Sequence, residues 1–256
     1  MGKIGGRKLC FIMNKMYPNL IGRDNLFEIL GKYNLLLYKR KRRVRTTWSA
    51  SWLHKFPNLI KDIVLTSPNQ LWVSDITYIE TNKGFVYLHL VTDAYSKKIV
   101  GWTLSPTLHA NATISALQMA IRSVNCKLDG LIHHFDRGCQ YCCEKYVKLL
   151  QDNGIQISMT QDGNPRDNAI AERVNGILKT EWLNDEHFES FNDAYKRIGE
   201  VINIYNNKRP HLSLNYKTPS QVYTEVGKQM RVWKNYYKAN KPEDVNNVIL
   251  ELTNEE

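Results

Sequence analysis

A carboxylate sits in the middle of the most strand-like stretch of the chain. Residues 71–79 read LWVSDITYI, rich in strand formers, and Asp75 lies among Val73, Ile76 and Tyr78. An ionised side chain in a core strand costs several kcal/mol unless it is paired or bound to a cation. Two more strand-like runs follow closely, GFVYLHLVTD (84–93) and KKIVGWTL (97–104), and Asn82, Lys83 and Gly84 form the first turn. Three strands in quick succession predict an antiparallel meander. The remaining pattern alternates. A helix is expected over about 110–124, with Ile114, Leu117, Met119, Ala120, Ile121 and Val124 on its buried side. A strand at 131–135, a helix at 142–152, a strand at 155–158 and helices at 168–182 and 190–206 come next. That order predicts an α/β fold with a mixed sheet flanked by helices.

The N-terminal region reads differently. Leu9, Ile12, Met13 and Met16 recur at helical spacing, and Pro18 and Gly22 break the pattern. A second helix is expected through Leu26, Phe27, Ile29 and Leu30, with Asp24 as its N-cap and Gly31 as its stop. Two short helices joined by a turn are helix-turn-helix-like. Charge follows the same division. Residues 1–70 hold 14 Lys/Arg against 3 Asp/Glu, a net of +11, whereas the rest of the chain holds 21 against 22. One end carries the whole positive field, which points to a polyanion partner, nucleic acid ahead of an anionic membrane. The run KRKRRVR (39–45) contains Arg40, Lys41, Arg42, Arg43 and Arg45 and precedes Trp48 and Trp52. It reads either as a solvated linker or as a strap along phosphates with aromatics ready to stack on bases.

No apolar run approaches the roughly 20 residues that span a bilayer. Five cysteines, three of them at Cys139, Cys142 and Cys143, do not make a disulfide framework, and a reduced, cytoplasmic chain is expected. The chain has no G-x-S-x-G elbow and no Walker-type loop, which counts against a nucleophilic hydrolase and a P-loop ATPase. His133, His134, Cys139, Cys142 and Cys143 offer zinc ligands. However, no second pair stands at finger spacing, and neighbouring strand histidines point to opposite faces. Packing and strand-edge roles are the better reading, and His211 in RPHLSL reads as structural or as a DNA contact.

Two further acids stand beside Asp75. Asp136 ends the fourth expected strand, and Glu172 lies one turn into the helix DNAIAERVNGILKTEW. Taken singly, each has an ordinary reading: a buried pair, a turn residue, a surface helix charge. Together they form a set of hard oxygen donors that repel one another unless a cation neutralises them, which suits Mg²⁺ or Mn²⁺. Asn168, Glu172, Asn175 and Lys179 are four, three and four apart and share one helix face. Lys179 lies roughly 10 Å along the axis from Glu172, a reasonable distance for gripping a phosphate.

The order Asp75, Asp136, Glu172, with 60 and then 35 residues between, resembles the DDE cores of retroviral integrases and insertion-sequence transposases. Lys179, seven positions after the glutamate, adds to the match. LWVSDITYI, HHFDRGCQY, GNPRDNAIAERVNGILKTE and YNNKRPHLSLNYKTPSQVY are similar to the second-frame, integrase-core protein of such elements. RKL, GRDNLFEIL and RTT resemble the segment that precedes that core. The resemblance implies an RNase H-like fold over 71–225, preceded by a small helical, DNA-binding-like region (1–38) and a basic linker (39–70), and followed by a tail (226–256). It implies DNA cleavage and strand transfer with two divalent ions, Mg²⁺ or Mn²⁺, held by Asp75, Asp136 and Glu172. Lys179 would contact DNA, as would Asn168 and the basic run. It further implies a bacterial, nucleoid-associated homo-oligomer on transposon ends and target DNA, with an upstream helix-turn-helix protein as a possible fusion partner. The sequence departs from the family in having Phe135 before the second aspartate and Cys139, Cys142 and Cys143 after it, which leaves the three acids intact. The rival expectation is a DNA-binding protein without catalysis, a decayed transposase or a regulator competing for ends.

Overall fold

In the computed structural model, which describes residues 3–37, 56–61, 63–124, 127–161 and 168–228, two helices precede a mixed sheet. The helices are α1 (Gly6–Met16) and α2 (Arg23–Lys32). Then follow β1 (Leu71–Thr81), β2 (Gly84–Asp93), β3 (Ile99–Ser105), α3 (Ala110–Arg122), β4 (Ile132–Phe135), α4 (Glu144–Asp152), β5 (Gln156–Met159), α5 (Ala169–Glu181), α6 (Phe191–Asn207) and the single turn α7 (Pro219–Val222). The five strands lie in the order β3-β2-β1-β4-β5. β1, β2 and β3 form the expected antiparallel meander, and β4 and β5 add in parallel on the other side of β1. β1 is therefore the central strand, flanked on both edges.

Both faces of the sheet are covered, because alternate strand residues are apolar on both sides. Trp72, Val91 and Val100 pack under α3 and α4 with Ala116, Leu117, Ala120, Tyr146 and Leu150. Ile79, Leu88, Leu90 and Leu104 face the other way, under Val174, Ile177 and Leu178 of α5 and Ile198, Val201 and Tyr205 of α6. α3 sits so close to β3 that a Cβ on Gly101 would lie 2.1 Å from the Ala116 carbonyl oxygen. Only glycine admits that approach.

The sequence places residues 56–70 in the linker, but parts of 56–61 and 63–70 lie against the core. The Leu59 amide donates to Ser158 Oγ (2.9 Å), the Met159 amide donates to the Pro57 carbonyl (3.2 Å), and Ile60 and Leu65 pack on buried apolar groups. The N-terminal pair of helices is present with shifted ends. Gly22, not Asp24, is the N-cap of α2; Asp24 lies in the first turn and accepts from Arg23 Nε. Gly31 lies inside α2, which runs on to Lys32. None of the helices among the described residues is long and apolar enough to cross a membrane.

Candidate active site

The odd-numbered residues of β1 face α5. Leu71 and Val73 pack with Ala171, Asp75 accepts from Asn175, Thr77 accepts from Lys179, and Ile79 joins Val174 in the core. This is the period of two along a strand meeting the 3–4 period of a helix. The polar stripe on α5 thus lies over the one polar stretch of β1. Asn168 Nδ2 donates to the Ser74 carbonyl (2.9 Å), Asn175 Nδ2 to Asp75 Oδ2 (2.8 Å), and Lys179 Nζ to Thr77 Oγ1 (3.2 Å) and the Tyr78 carbonyl (2.9 Å).

Asp136 approaches Asp75 from the other side. β1 and β4 run parallel with Val73 opposite His134, so continuing that register by two residues brings Asp136 level with Asp75. Asp136 Oδ1 accepts the Gly138 amide at 3.0 Å, and Asp75 Oδ1 accepts the Ile76 amide at 2.9 Å. Asp75 keeps some accessible surface, yet its carboxylate is hemmed in by protein atoms. Burial, then the Asp136 charge, push its pKa up to about 7 against the help of the Asn175 and Ile76 hydrogen bonds, and Glu172 adds a smaller push. Two carboxylates are thus brought together with amides, not cations, around Asp75. Glu172 is exposed in the first turn of α5, within electrostatic reach of Asp75. Among the described residues no three His, Cys, Asp or Glu side chains stand close enough together to enclose an ion.

The other sequence-predicted residues fall into three groups. Asn168, expected to contact DNA, is buried, and its amide fastens the start of α5 to β1. Lys179 reaches forward as its spacing predicts but lies folded on β1, with Nζ 4.0 Å from the centre of the Tyr78 ring. The run Arg40, Lys41, Arg42, Arg43 and Arg45 lies outside the described residues. Asn175 was visible in the sequence only as a member of the helical stripe; the structure makes it the residue that orients Asp75.

The zinc alternative finds no cluster among the described residues, where these histidines and cysteines do not come together as a group of three. His133 Nε2 meets Tyr146 OH (2.7 Å) and Ser74 Oγ (3.3 Å), while His134 Nδ1 meets Ser158 Oγ (2.8 Å). Burial, then neighbouring Cys139 and Asp136, raise the pKa of the Cys142 thiol, away from the thiolate that zinc needs. Phe135 stacks on Tyr141 with ring centres 4.8 Å apart, wholly inside the core. His211 is buried with Nε2 3.1 Å from Tyr205 OH, a structural position.

Two family models, both described as the integrase core domain, match residues 66–165 and 153–219. The 31 kDa protein of insertion element IS600 from Shigella sonnei is 38% identical over 204 residues, covering 78% of this chain and 74% of that protein. The transposase of insertion sequence element IS904 from Lactococcus lactis is 41% identical over 165 residues, covering 64% of this chain and 65% of that one. The chain belongs to the integrase-core transposases of insertion sequences. A cryoEM structure of the simian T-cell lymphotropic virus intasome, in complex with PP2A regulatory subunit B56 gamma, matches with a TM-score of 0.53 at 19% identity. That match covers 90% of this chain and 73% of the other. It establishes the fold of the transposase as RNase H-like, with the sheet and flanking helices described above.

Proposed function

We propose that Asp75, Asp136 and Glu172 are the acidic triad of a DDE centre that cuts a DNA strand at an element end and joins it to target DNA. The observation that carries this reading is Asp75. It is a carboxylate in the central strand, its pKa raised to about 7 by burial and by Asp136, with no cation among its hydrogen-bond partners in the described residues. A pair of acids held this way is stabilised by a bound cation. Their hard oxygen donors fit Mg²⁺ or Mn²⁺. Asp75 and Asp136 would hold the ions, two by the resemblance, and Glu172 would close on them from α5. Bound there, the metal would help activate the attacking oxygen and stabilise the leaving oxygen of a phosphodiester.

The chain's own groups set the geometry. Asn175 fixes which oxygen of Asp75 faces inward, and Asn168 fixes the start of α5 against β1. Lys179 exchanges the Tyr78 ring and β1 oxygens for a DNA phosphate. The helical region 1–38 and the basic run 39–45 hold DNA along the core, and a homo-oligomer pairs two ends.

Nicking of supercoiled plasmid in Mn²⁺ tests the reading, with the Glu172→Gln protein alongside. Nicking by the wild type and none by the variant is expected. Equal nicking by both would remove Glu172 from the centre. DNA binding without nicking by the wild type would favour the non-catalytic reading or a need for the upstream partner.

A further inference from the structure

Three cysteines follow Asp136 in a turn built against the acidic centre. Asp136 Oδ1 accepts the Gly138 amide (3.0 Å), and Arg137 Nε donates to the Thr160 carbonyl (3.0 Å). Two successive turns come next. The Tyr141 amide donates to the Gly138 carbonyl (3.1 Å), and the Cys142 amide donates to the Cys139 carbonyl (3.3 Å). Tyr141, between the cysteines, is buried and lies within electrostatic reach of both Asp136 and Asp75. α4 begins directly afterwards, with Cys143 as its N-cap.

Cys139, Cys142 and Cys143 are all thiols, and they differ in access. Cys139 is exposed, whereas Cys142 and Cys143 are half-buried and pack on the core that α4 covers. A turn closed by an i to i+3 hydrogen bond holds its end Cα atoms within about 7 Å. A disulfide needs about 4.4–6.8 Å, so Cys139 and Cys142 stand at bridging range. Cys142 and Cys143, as chain neighbours, have Cα atoms only about 3.8 Å apart, too close for an unstrained bridge. The Cys142 thiol also lies within electrostatic reach of Cys139 and of Asp136.

We propose that Cys139 and Cys142 are a peroxide-sensitive thiol pair whose disulfide switches off the acidic centre by displacing the loop that holds Asp136. The consequence for activity rests on the DDE reading; the bond itself does not. Exposed Cys139 is the thiol that meets hydrogen peroxide. Its sulfur attacks one peroxide oxygen, the O–O bond breaks and water leaves, giving a sulfenic acid. The Cys142 sulfur then attacks that sulfur, the S–O bond breaks, and a second water carries away the Cys142 proton. The pair has given two electrons to the peroxide, and a dithiol returns them by exchange. Where thiols are kept reduced, such bonds are usually transient and redox-sensing. Closing the bond draws Cys142 out of the core or Cys139 inward, and the loop has no slack to absorb the change. Arg137 is tied to Thr160, and a Cβ on Gly138 would lie only 3.0 Å from both Asp136 Oδ1 and Gln140 Oε1. The bond from the Gly138 amide to Asp136 is therefore the contact that gives.

The test treats the full chain with hydrogen peroxide and then with dithiothreitol, beside Cys139→Ser, Cys142→Ala and Cys143→Ser. Intact mass and peptide mapping should show the wild type and Cys143→Ser losing two hydrogens at a bond between Cys139 and Cys142. The other two variants should not form it. Oxidation should speed exchange of the Gly138 amide with solvent. It should also lower Mn²⁺-dependent nicking by at least about tenfold, the scale of losing an outer-shell partner, and dithiothreitol should restore both. Cys139→Ser should nick like the reduced wild type and keep that activity in peroxide. A bond to any other cysteine, or an equal loss of nicking by Cys139→Ser, would overturn the proposal. So would a bond between Cys139 and Cys142 that leaves the Gly138 amide or the nicking unchanged. If the reduced wild type does not nick at all, the DDE reading fails, while the bond and the Gly138 amide still decide the thiol pair.

Discussion

Two glutamates on α5 meet opposite fates. Glu181, in the last turn, is half-buried and fully answered: Arg209 Nε and Nη2 reach its two oxygens at 2.6 Å each, and Lys8 Nζ adds a third bond at 2.7 Å. Burial raises its pKa, but Arg209 first and Lys8 second more than reverse that, so it stays ionised below the ordinary glutamate range. Glu172, in the first turn, faces the Asp75–Asp136 side, where negative charges accumulate. The partners divide unequally at the Glu181 end. Lys8 is held below its ordinary pKa by burial and by Arg209, so the bidentate Arg209 is the principal partner and Lys8 the auxiliary one. A helix that places one acid among cations and another among acids is anchored at one end and primed at the other.

The largest effect expected from breaking this contrast is at the anchored end. Glu181→Gln leaves Arg209, only 5% exposed, without its counter-charge. Removing one partner of a buried pair costs about 3–5 kcal/mol, so urea or thermal unfolding should show a loss of that size. Lys8→Met should cost clearly less. Equal losses would mean that Lys8, not Arg209, holds the carboxylate.

At the primed end the expectation reverses. Asp75→Asn removes a charge that is repelled by its neighbours, so stability should be unchanged or higher while plasmid nicking falls by more than about a hundredfold, beyond the usual 10–100-fold of an outer-shell change. A variant that both unfolds and loses nicking would place Asp75 with Glu181 as a structural acid. The same contrast appears at Asn175, whose amide serves Asp75 Oδ2 while its own Oδ1 finds no partner among the described residues.

Acid should weaken the fold through its buried histidines. Burial, then Arg209 and Lys8, depress His211 to about 2, and burial depresses His89 to about 4 and His133 to about 3. Each is neutral in the fold and takes its proton first in the unfolded chain. Stability should therefore fall as pH drops below about 6.5, by up to about 1.4 kcal/mol per pH unit for each group. His211→Asn should remove one histidine's share of that slope in thermal melts between pH 7 and 5. An unchanged slope would mean that His211 is not held neutral by its surroundings.

Period and composition made most of the core legible. The meander, the helix over 110–122 and the alternation after it all follow from apolar residues spaced at two or at three to four, and the observed ends differ by one or two residues. Asp75 and the α5 stripe were legible because a carboxylate in a strand and four polar residues on one helix face are locally anomalous. The Glu181 clamp was not legible. Its partners lie 173 and 28 residues away in the chain, and no local pattern marks Glu181 as different from any last-turn acid. The docking of α1 shares that cause. Its helical period is readable, but the side it turns to the core is decided by Lys3, Lys8 and Phe11 meeting groups near residues 181, 185 and 216. Asp24 failed as a cap because a glycine two residues earlier adopts the extended cap conformation and Arg23 takes its carboxylate. The buried Asn168 shows the limit of a helical stripe, which gives the face but not the depth.

The smallest effect concerns Lys179, which sits between the two ends. Its ammonium lies over the Tyr78 ring and on two β1 oxygens. A cation over an exposed ring contributes about 0.5–1 kcal/mol, and Tyr78 is 40% exposed, so Lys179→Gln should lower stability by about that much. DNA binding separates the two roles of the side chain. If Lys179 trades the ring for a phosphate, the variant should also lose about 0.9 from the salt slope, because one counterion fewer is released. A stability loss with an unchanged slope would leave Lys179 as a clasp between α5 and β1, and would move it from the primed side of the comparison to the anchored one.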